Sequence, residues 1–364
     1  MDSSNKYNDF IERIDQRIKP LNMELGEAVQ HKIDQKTKPV GSLGKMERIA
    51  KQIALIQGTL TPVLKRPTML TVASDHLICA EGVSPCPVEI TWQQCLNFLQ
   101  GGGGIGLFCK EYGFEHFVVD AGVNYDFEPH PMLIDVKVRK GTRNFLHEPA
   151  MSSDECICAL ENGRALINRL VNMGCNVVGF GEMGIGNTTP ASALLAVYTG
   201  YPVRECVGPG SGLNINGVNH KAEVIEAAVA KHGISQNPIE NLARYGGLEI
   251  ATIAGAMLEA AAQNMVVITD GFITTSALLA AWAINPHILD YVLFSHQSME
   301  QGHRRMIEFM GGEPIMQLDF RLGEGTGAAV AYSVVKGAVA MLNHMTSFDG
   351  SGVSNTSHIK PSNG

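Results

Sequence analysis

The chain has 364 residues, of which 45% are hydrophobic and 18% charged, and its formal net charge is −8 at pH 7. This composition is typical of a globular protein with a sizeable core, in one large or two modest domains. The negative charge argues against nucleic acid or an anionic membrane as a general partner.

The first 60 residues have the pattern of helices. Apolar residues recur at helical spacing from Phe10 to Ile18, a second helix is expected before residue 35, and a third over 46–56. The N-terminus carries charges and no apolar signal-peptide segment, and the eight cysteines form no CxxC motif. We therefore expect a cytoplasmic protein with reduced thiols. Lys38 lies in a KPVGSLG turn, which is either a connector between helices or a source of charge for a phosphate.

From about residue 61, short apolar runs alternate with helical segments. Runs that end in small or acidic residues predict strands at 69–73, 117–119, 177–180 and 266–269. This alternation predicts an α/β fold with a Rossmann-like, mostly parallel sheet and helices on both faces. Ligands bind to such sheets beyond the carboxyl ends of the strands. The long apolar segment 272–289 contains Asn285 and Pro286, so it is predicted to be a buried helix and not a membrane span.

The stretch Gly181–Ser192, GEMGIGNTTPAS, follows the third predicted strand. Gly184 and Gly186 allow the backbone to approach a ligand closely, and Asn187, Thr188 or Thr189 can cap the helix that follows. Free N–H groups and the positive end of that helix favour a phosphate. Glu182 stands beside this predicted anion site, so we expect it to face a developing cation or a sugar hydroxyl. An ordinary strand–helix turn with a surface glutamate is the alternative.

Two later stretches also have polar and glycine-rich patterns. The loop GPGSG at 208–212 can offer backbone donors to an anion, and Lys221 follows nearby in sequence. The segment SHQSMEQGHRR places His296, Glu300 and His303 at spacings that suit one helix face. It is not an HExxH motif and a glycine interrupts it, so a polar helix end explains it better than a metal site.

The stretch DFRLGEGTGAA at 319–329 places Glu324 between two glycines and before an apolar helix. Glycines on both sides let a carboxylate approach a ligand closely, and the helix can shield it from water. Desolvation raises a carboxyl pKa toward neutrality, which makes the group a better base. A solvated turn glutamate is an equally good explanation of this position taken alone.

Taken in order, seven motifs resemble those of the nicotinate-nucleotide:dimethylbenzimidazole phosphoribosyltransferases. They are KPVGSLG, ASDHLICAEGVS, GTRNFL, GEMGIGNTTPASA, DGFITTSALLAA, SHQSMEQGH and RLGEGTGAA, and they extend from about residue 38 to about residue 330. The resemblance implies an enzyme of the cobamide lower-ligand pathway that joins the phosphoribosyl group of nicotinate mononucleotide to an aromatic base and releases nicotinate. It also implies a large domain over 61–334, a small helical domain from 1–60 and 335–364, a dimer, and no cofactor.

The resemblance also carries roles for individual residues. The glutamate of RLGEGTGA, here Glu324, is the catalytic base of the family, and the glutamate of GEMGIGNT, here Glu182, is its second functional carboxylate. The departing pyridinium becomes a neutral pyridine, so the reaction needs a base, a firm grip on the 5′-phosphate and stabilisation of charge at C1′. The predicted donor-binding residues are Gly184, Ile185, Gly186, Asn187, Gly208, Gly210, Lys221, Lys38 and Ser295.

The predicted acceptor-binding residues are Ser84, Cys86, Val88 and Leu322. Benzimidazole-using members of the family typically have an aromatic residue, Pro, Gln and Glu where this chain has Cys86-Pro87-Val88-Glu89. Valine in place of glutamine removes a hydrogen-bonding group, which favours phenol or p-cresol as the acceptor. A relaxed pocket that still prefers benzimidazoles explains the change equally well. Phenol-type enzymes work as two related subunits, so the partner chain is either a second copy or a paralogue.

Two rival functions have less support in the sequence. A catalytically idle paralogous subunit would not need both Glu182 and Glu324, yet both are present. A dinucleotide-binding oxidoreductase would carry GxGxxG in its first strand–helix turn, and the turn after 69–73 lacks it.

Overall fold

The computed structural model describes residues 3–355, and a six-stranded parallel sheet lies at its centre. The strands are β1 (Thr68–Ser74), β2 (Glu115–Gly122), β3 (Leu133–Asp135), β4 (Val177–Met183), β5 (Val266–Thr269) and β6 (Val292–Phe294). Their order in the sheet is β3-β2-β1-β4-β5-β6, and every neighbouring pair is parallel. All four strands predicted from apolar runs are confirmed. The other two, β3 and β6, have three residues each, too few to give a pattern in sequence.

Helices connect and cover these strands. The α-helices are α1 (Ser3–Asp15), α2 (Gly26–Asp34), α3 (Lys45–Ile56), α4 (Ile90–Leu99), α5 (Gly103–Tyr112), α6 (Ser153–Asn172), α7 (Thr188–Thr199), α8 (Val203–Cys206), α9 (Ile215–His232), α10 (Pro238–Tyr245), α11 (Leu248–Ala262), α12 (Phe272–Ile284), α13 (Gln301–Phe309), α14 (Thr326–His344) and α15 (Phe348–Ser351). The segment predicted to be a buried apolar helix is α12, and it is almost wholly buried.

The helices lie on both faces of the sheet, as predicted. Helix α14 packs with α3 and α5 and contacts β4 and β5, whereas α11 packs with α6 and α12 and contacts β1 and β2. Helix α11 is buried along nearly its whole length, because the sheet and two helices surround it. Its sequence is accordingly rich in alanine, and even its polar residues Glu249, Thr252 and Glu259 are buried.

The two ends of the chain meet. Lys36 Nζ donates to the Met345 carbonyl at 2.7 Å, and the Phe348 N–H donates to the Gln35 carbonyl at 3.0 Å. Helix α1 instead packs against α6, where Arg13 and Glu161 form an ion pair at 2.8 Å. The contacts of Lys36 and Phe348 join the two ends, whereas α1 packs on the predicted large domain, and the division into a large domain over 61–334 and a small one from 1–60 and 335–364 stays a prediction. Residues 356–364 of the predicted unit lie outside the described residues.

Strands β1 and β4 lie side by side at the centre of the sheet, and the chain passes from β1 to β2 on one side and from β4 to β5 on the other. This is the point in an open parallel sheet where a crevice forms beyond the strand ends. Glu182 in β4 is aligned with Val72 in β1, so the end of β4 lies beside the Ser74–His76 segment. The ligand site is therefore expected at these ends.

Candidate active site

A cavity of about 220 Å³ lies at this crevice. Its walls come from the end of β4, the start of α7, the turn after β5, the segment after β6 and the loop before α14. Glu182 and Glu324 both line it, together with Gly184, Ile185, Gly186, Asn187, Gly210 and Leu322. The structure thus brings together most of the residues that the sequence proposed, from segments that are over a hundred residues apart.

Glu324 is held at the cavity by a strained loop. Its φ is 65°, in the left-handed region, and its neighbours Gly323 and Gly325 have φ of 83° and 100°. Its Oε2 accepts a hydrogen bond from the Ile105 N–H, in the first turn of α5, at 3.1 Å. Burial raises the pKa of Glu324, the backbone donors of Ile105 and Gly104 lower it, and the Asp270 carboxylate raises it. The carboxylate is therefore fixed in place and shielded from water, as a general base requires.

Glu182 is buried and lines the cavity beside the loop that carries Glu324. Its Oε2 accepts a hydrogen bond from the Asn187 amide, and a side chain at Gly323 would meet its Oε1 at 2.5 Å. Burial raises the pKa of Glu182 to about 8; the Asn187 bond opposes this rise, and the carboxylates of Glu249, Asp270 and Glu324 add to it. Glu182 is therefore a largely protonated carboxyl that a nearby positive charge would ionise.

The start of α7 differs from the prediction in two respects. Asn187 occupies the position before the helix, but its own backbone is helical and its side chain binds Glu182 instead of capping the helix. The N–H of Ile185 already donates to Thr91 Oγ1 at 3.1 Å, so it is not free for a phosphate. The Asn187 side chain therefore holds the Glu182 carboxyl group in place at the cavity.

Lys221 and the 208–212 loop converge with α7 at one end of the cavity. Lys221 Nζ donates to Thr188 Oγ1 at 2.6 Å, and a side chain at Gly210 would lie 3.4 Å from that Nζ. Burial lowers the pKa of Lys221 to about 8, while the nearby Glu300 carboxylate raises it. A side chain at Gly208 would meet Glu300 Oε2 at 2.3 Å. A buried ammonium, a helix start and a glycine-rich loop together suit an anionic group.

Four predicted donor-binding residues do not line the cavity, namely Gly208, Lys221, Lys38 and Ser295. Gly208 and Lys221 lie next to residues that do line it, Glu300 and Thr188. Lys38 forms a buried ion pair with Glu47 at 2.8 Å, in the turn that leads into α3, so its charge is already neutralised. Ser295 is fully buried at the end of β6, with its Oγ 3.4 Å from the Asp270 carbonyl. The residues that follow it, His296 and Ser298, line the cavity instead.

The predicted acceptor residues are placed differently from one another. Leu322 lines the cavity, and also a neighbouring apolar cavity of about 540 Å³ with Phe108 and Phe320. Ser84, Cys86 and Val88 do not line either cavity, and Val88 is exposed. The turn after Val88 leads into α4, which instead presents Ile90 and Gln94. Although this chain has valine at position 88, where a glutamine is typical, the amide side chain of Gln94 still lines the cavity.

Other lining residues were not predicted as donor or acceptor contacts. They include Ile90, Gln94, Phe272, His296, Ser298 and Arg321. His296 and Glu300 were noted only as part of a possible helix face, but both precede α13, so that interpretation is wrong. They lie two and six residues after the end of β6, a strand too short to be recognised in the sequence, so no strand end marked them in advance. Among residues 3–355, no group of His, Cys, Asp and Glu is arranged to hold a metal ion, and no helix is long and apolar enough to cross a membrane.

Comparisons with known proteins show which family this chain resembles. A family model described as a phosphoribosyltransferase matches residues 18–353. The nicotinate-nucleotide–dimethylbenzimidazole phosphoribosyltransferase of Cupriavidus taiwanensis is 46% identical over 340 residues, which cover 93% of this chain and 98% of the relative. The enzyme of the same name from Dechloromonas aromatica is 49% identical over 330 residues, covering 90% and 95%. The crystal structure of CobT from Thermus thermophilus matches with a TM-score of 0.88 at 39% identity, over 91% of this chain and 99% of that one.

The parallel sheet, the paired carboxyls and the matching family model define a phosphoribosyltransferase, an enzyme of the glycosyltransferase type. The extent and identity of the matches show more than the class. The chain belongs to the nicotinate-nucleotide–dimethylbenzimidazole phosphoribosyltransferase family, which confirms the resemblance drawn from its motifs.

Proposed function

We propose that this enzyme transfers the phosphoribosyl group of nicotinate mononucleotide to dimethylbenzimidazole, releasing nicotinate, in cobamide biosynthesis. The observation that carries the proposal is the pair of buried carboxyls, Glu182 and Glu324, that line one cavity, with a buried ammonium, Lys221, bonded to Thr188 in the cavity lining. The names of the relatives support the choice of substrates.

Each group has one task in the proposed reaction. Lys221, Thr188 and the Gly208–Gly212 loop bind the 5′-phosphate of the donor. The positive pyridinium of the donor favours the ionised form of Glu182, which then stabilises positive charge at C1′ as the C1′–N bond breaks. The unprotonated ring nitrogen of the acceptor forms the new bond to C1′, and Glu324 removes the proton that the other ring nitrogen carries, so the product ring is neutral. Nicotinate leaves as a neutral pyridine ring, so no general acid is required.

The position of Gln94 favours a benzimidazole over a phenol. Its amide can hydrogen-bond to a ring nitrogen, and it lines the same cavity as Glu324, whereas Val88 lies outside. Leu322 and Phe272 add apolar surface suited to an aromatic ring. Phenol and p-cresol, and a paralogous partner chain with them, are the competing proposal for the acceptor.

The test of the mechanism is Glu324→Gln, which keeps the shape of the side chain and removes the base. We expect turnover to fall by about 10²-fold or more, with donor affinity in calorimetry little changed. Glu313→Gln is the matched control, because Glu313 is exposed and pairs with Arg48 far from the cavity. Near-normal turnover of Glu324→Gln would refute the role of Glu324.

The same assay decides the acceptor. The purified chain is given nicotinate mononucleotide with dimethylbenzimidazole, phenol or p-cresol, and light scattering on that sample tests the expected homodimer. We expect consumption of dimethylbenzimidazole by this chain alone, and a loss of that preference in Gln94→Leu. Conversion of phenol with dimethylbenzimidazole left unused would reverse the choice of acceptor.

A further inference from the structure

Two neighbouring strands of the sheet, β1 and β4, contact the backbone of Glu324. Thr71 in β1 and Gly181 in β4 are cross-strand neighbours, and both contact the Glu324 carbonyl oxygen. The Thr71 hydroxyl donates to that oxygen at 3.0 Å, and a side chain at Gly181 would overlap it at 1.9 Å. Thr71 is fully buried, so no water competes for this bond.

A third side chain orients the Thr71 hydroxyl. His116 in β2 lies with its Nε2 2.9 Å from Thr71 Oγ1. A carbonyl can only accept, so the Thr71 proton goes to Glu324 and Thr71 Oγ1 must accept from the histidine. Burial lowers the pKa of His116 to about 4, so the ring is neutral and its single proton sits on Nε2. The chain of donors therefore runs from His116 through Thr71 to the Glu324 carbonyl.

The other end of the same peptide group is also fixed. The Gly325 N–H donates to Asp270 Oδ2 at 3.1 Å, and the carbonyl that shares its peptide plane is the one bound by Thr71. Rotation of this plane would break both bonds at once. It would also change ψ of Glu324 and φ of Gly325, the two angles that keep the carboxylate directed at the cavity.

We infer that Thr71 is a positioning residue for the catalytic base: with His116 behind it, its hydroxyl holds the Glu324–Gly325 peptide group in the left-handed geometry that aims the Glu324 carboxylate into the cavity. Thr71 does not touch substrate. The inference rests on the proposed role of Glu324, because the hydroxyl acts on the reaction only through that residue.

The test is Thr71→Val, which keeps the β-branched shape and removes the hydroxyl. A misdirected base slows the chemical step while the phosphate site is unaffected, so we expect kcat to fall about tenfold with the KM for nicotinate mononucleotide unchanged. Thr71→Ser keeps the hydroxyl and should restore most of the lost kcat. Thr252→Val is the matched control, because Thr252 is a buried threonine on α11 whose hydroxyl makes no hydrogen bond.

A double-mutant cycle separates this inference from the proposed function. In the Glu324→Gln background, Thr71→Val should reduce kcat no further. A fully active Glu324→Gln would overturn the proposed base, whereas an impaired Glu324→Gln beside a folded Thr71→Val with wild-type kcat would overturn only the role of Thr71. Should Thr71→Val fail to fold, His116→Phe decides the matter, because it removes the N–H that orients the hydroxyl: a fall in kcat supports the inference and an unchanged kcat refutes it.

Discussion

The units β4–α7 and β5–α12 share a pair of valines at the strand start, a glycine in the turn, a Thr-Thr pair and an alanine- and leucine-rich helix. Each unit also has one carboxylate, Glu182 near the end of β4 and Asp270 in the turn after β5. Glu182 faces the cavity with one amide as its hydrogen-bond partner. Asp270 instead accepts backbone N–H groups from Gly325, Gly327 and Ala328 at 2.7 to 3.2 Å.

The difference shows that the hydrogen-bond donors around a carboxylate determine whether it faces the ligand or fixes the backbone. Glu182 has few donors and is desolvated, so its proton affinity is high and responds to a nearby charge. The Asp270 carboxylate accepts its hydrogen bonds from the N-terminal turn of α14. It thereby holds the loop that carries Glu324 in place. Similar strand–turn–helix sequences therefore give one group that faces the ligand and one that fixes the backbone.

The largest expected effect comes from replacing Gly181 in β4, compared with Gly271 in the turn after β5. Gly181→Ala would place a methyl group 1.9 Å from the Glu324 carbonyl, so the loop must move, and we expect kcat to fall by about 10²-fold with a lower Tm. Gly271→Ala meets nothing nearer than His296 Nε2 at 3.6 Å, so its loss should be far smaller. Gly26→Ala, at a buried helical position where a methyl group would meet only Met23 Cε at 3.6 Å, controls for the substitution itself. Equal kinetic losses at Gly181 and Gly271 would break the comparison.

A smaller effect is expected when the backbone-fixing carboxylate is replaced. Asp270→Asn directs an amide N–H at the Gly325 N–H, so one buried donor loses its acceptor, at a cost of about 2 kcal/mol in the free energy of unfolding. The Glu324 loop loosens, and we expect kcat to fall about 30-fold. Asp126→Asn, at an exposed ion pair with Lys140, is the control. Denaturant unfolding and steady-state kinetics measure the two effects, and wild-type values in both would show that Asp270 is not an anchor.

The smallest effect concerns the ligand-facing carboxyl and pH. Glu182 keeps its proton up to about pH 8 when folded, but an unfolded glutamate loses it near the ordinary value of 4.5. Its contribution to stability is therefore full below pH 4.5 and declines as the pH rises toward 8. Glu182→Gln stays neutral and keeps its bond to Asn187. We expect the Tm of the unliganded variant to exceed that of the wild type by about 5 °C at pH 8 and to match it at pH 4.5. A constant difference across this range would contradict the raised pKa.

The sequence was sufficient for the features that depend on local pattern. The predicted strands at 69–73, 117–119, 177–180 and 266–269 are confirmed, because buried parallel strands need continuous apolar runs and end in glycine or acidic turns. Adjacent glycines drew attention to Glu182 and Glu324, but this pattern left an ordinary turn glutamate open at both positions, and their roles were implied only by the family resemblance. Family motifs then gave the enzyme class.

Only the tertiary structure decided which other side chains reach the site. Lys38 looked as suitable as Lys221, but its ion pair with Glu47 occupies it, and no periodicity in the sequence encodes that pairing. The contact of Thr71 with the Glu324 carbonyl joins residues 253 positions apart. It depends on the register that sets Thr71 beside Gly181 and on the peptide plane of a left-handed residue. Such contacts depend on the three-dimensional path of the chain, which brings together segments that are distant in sequence.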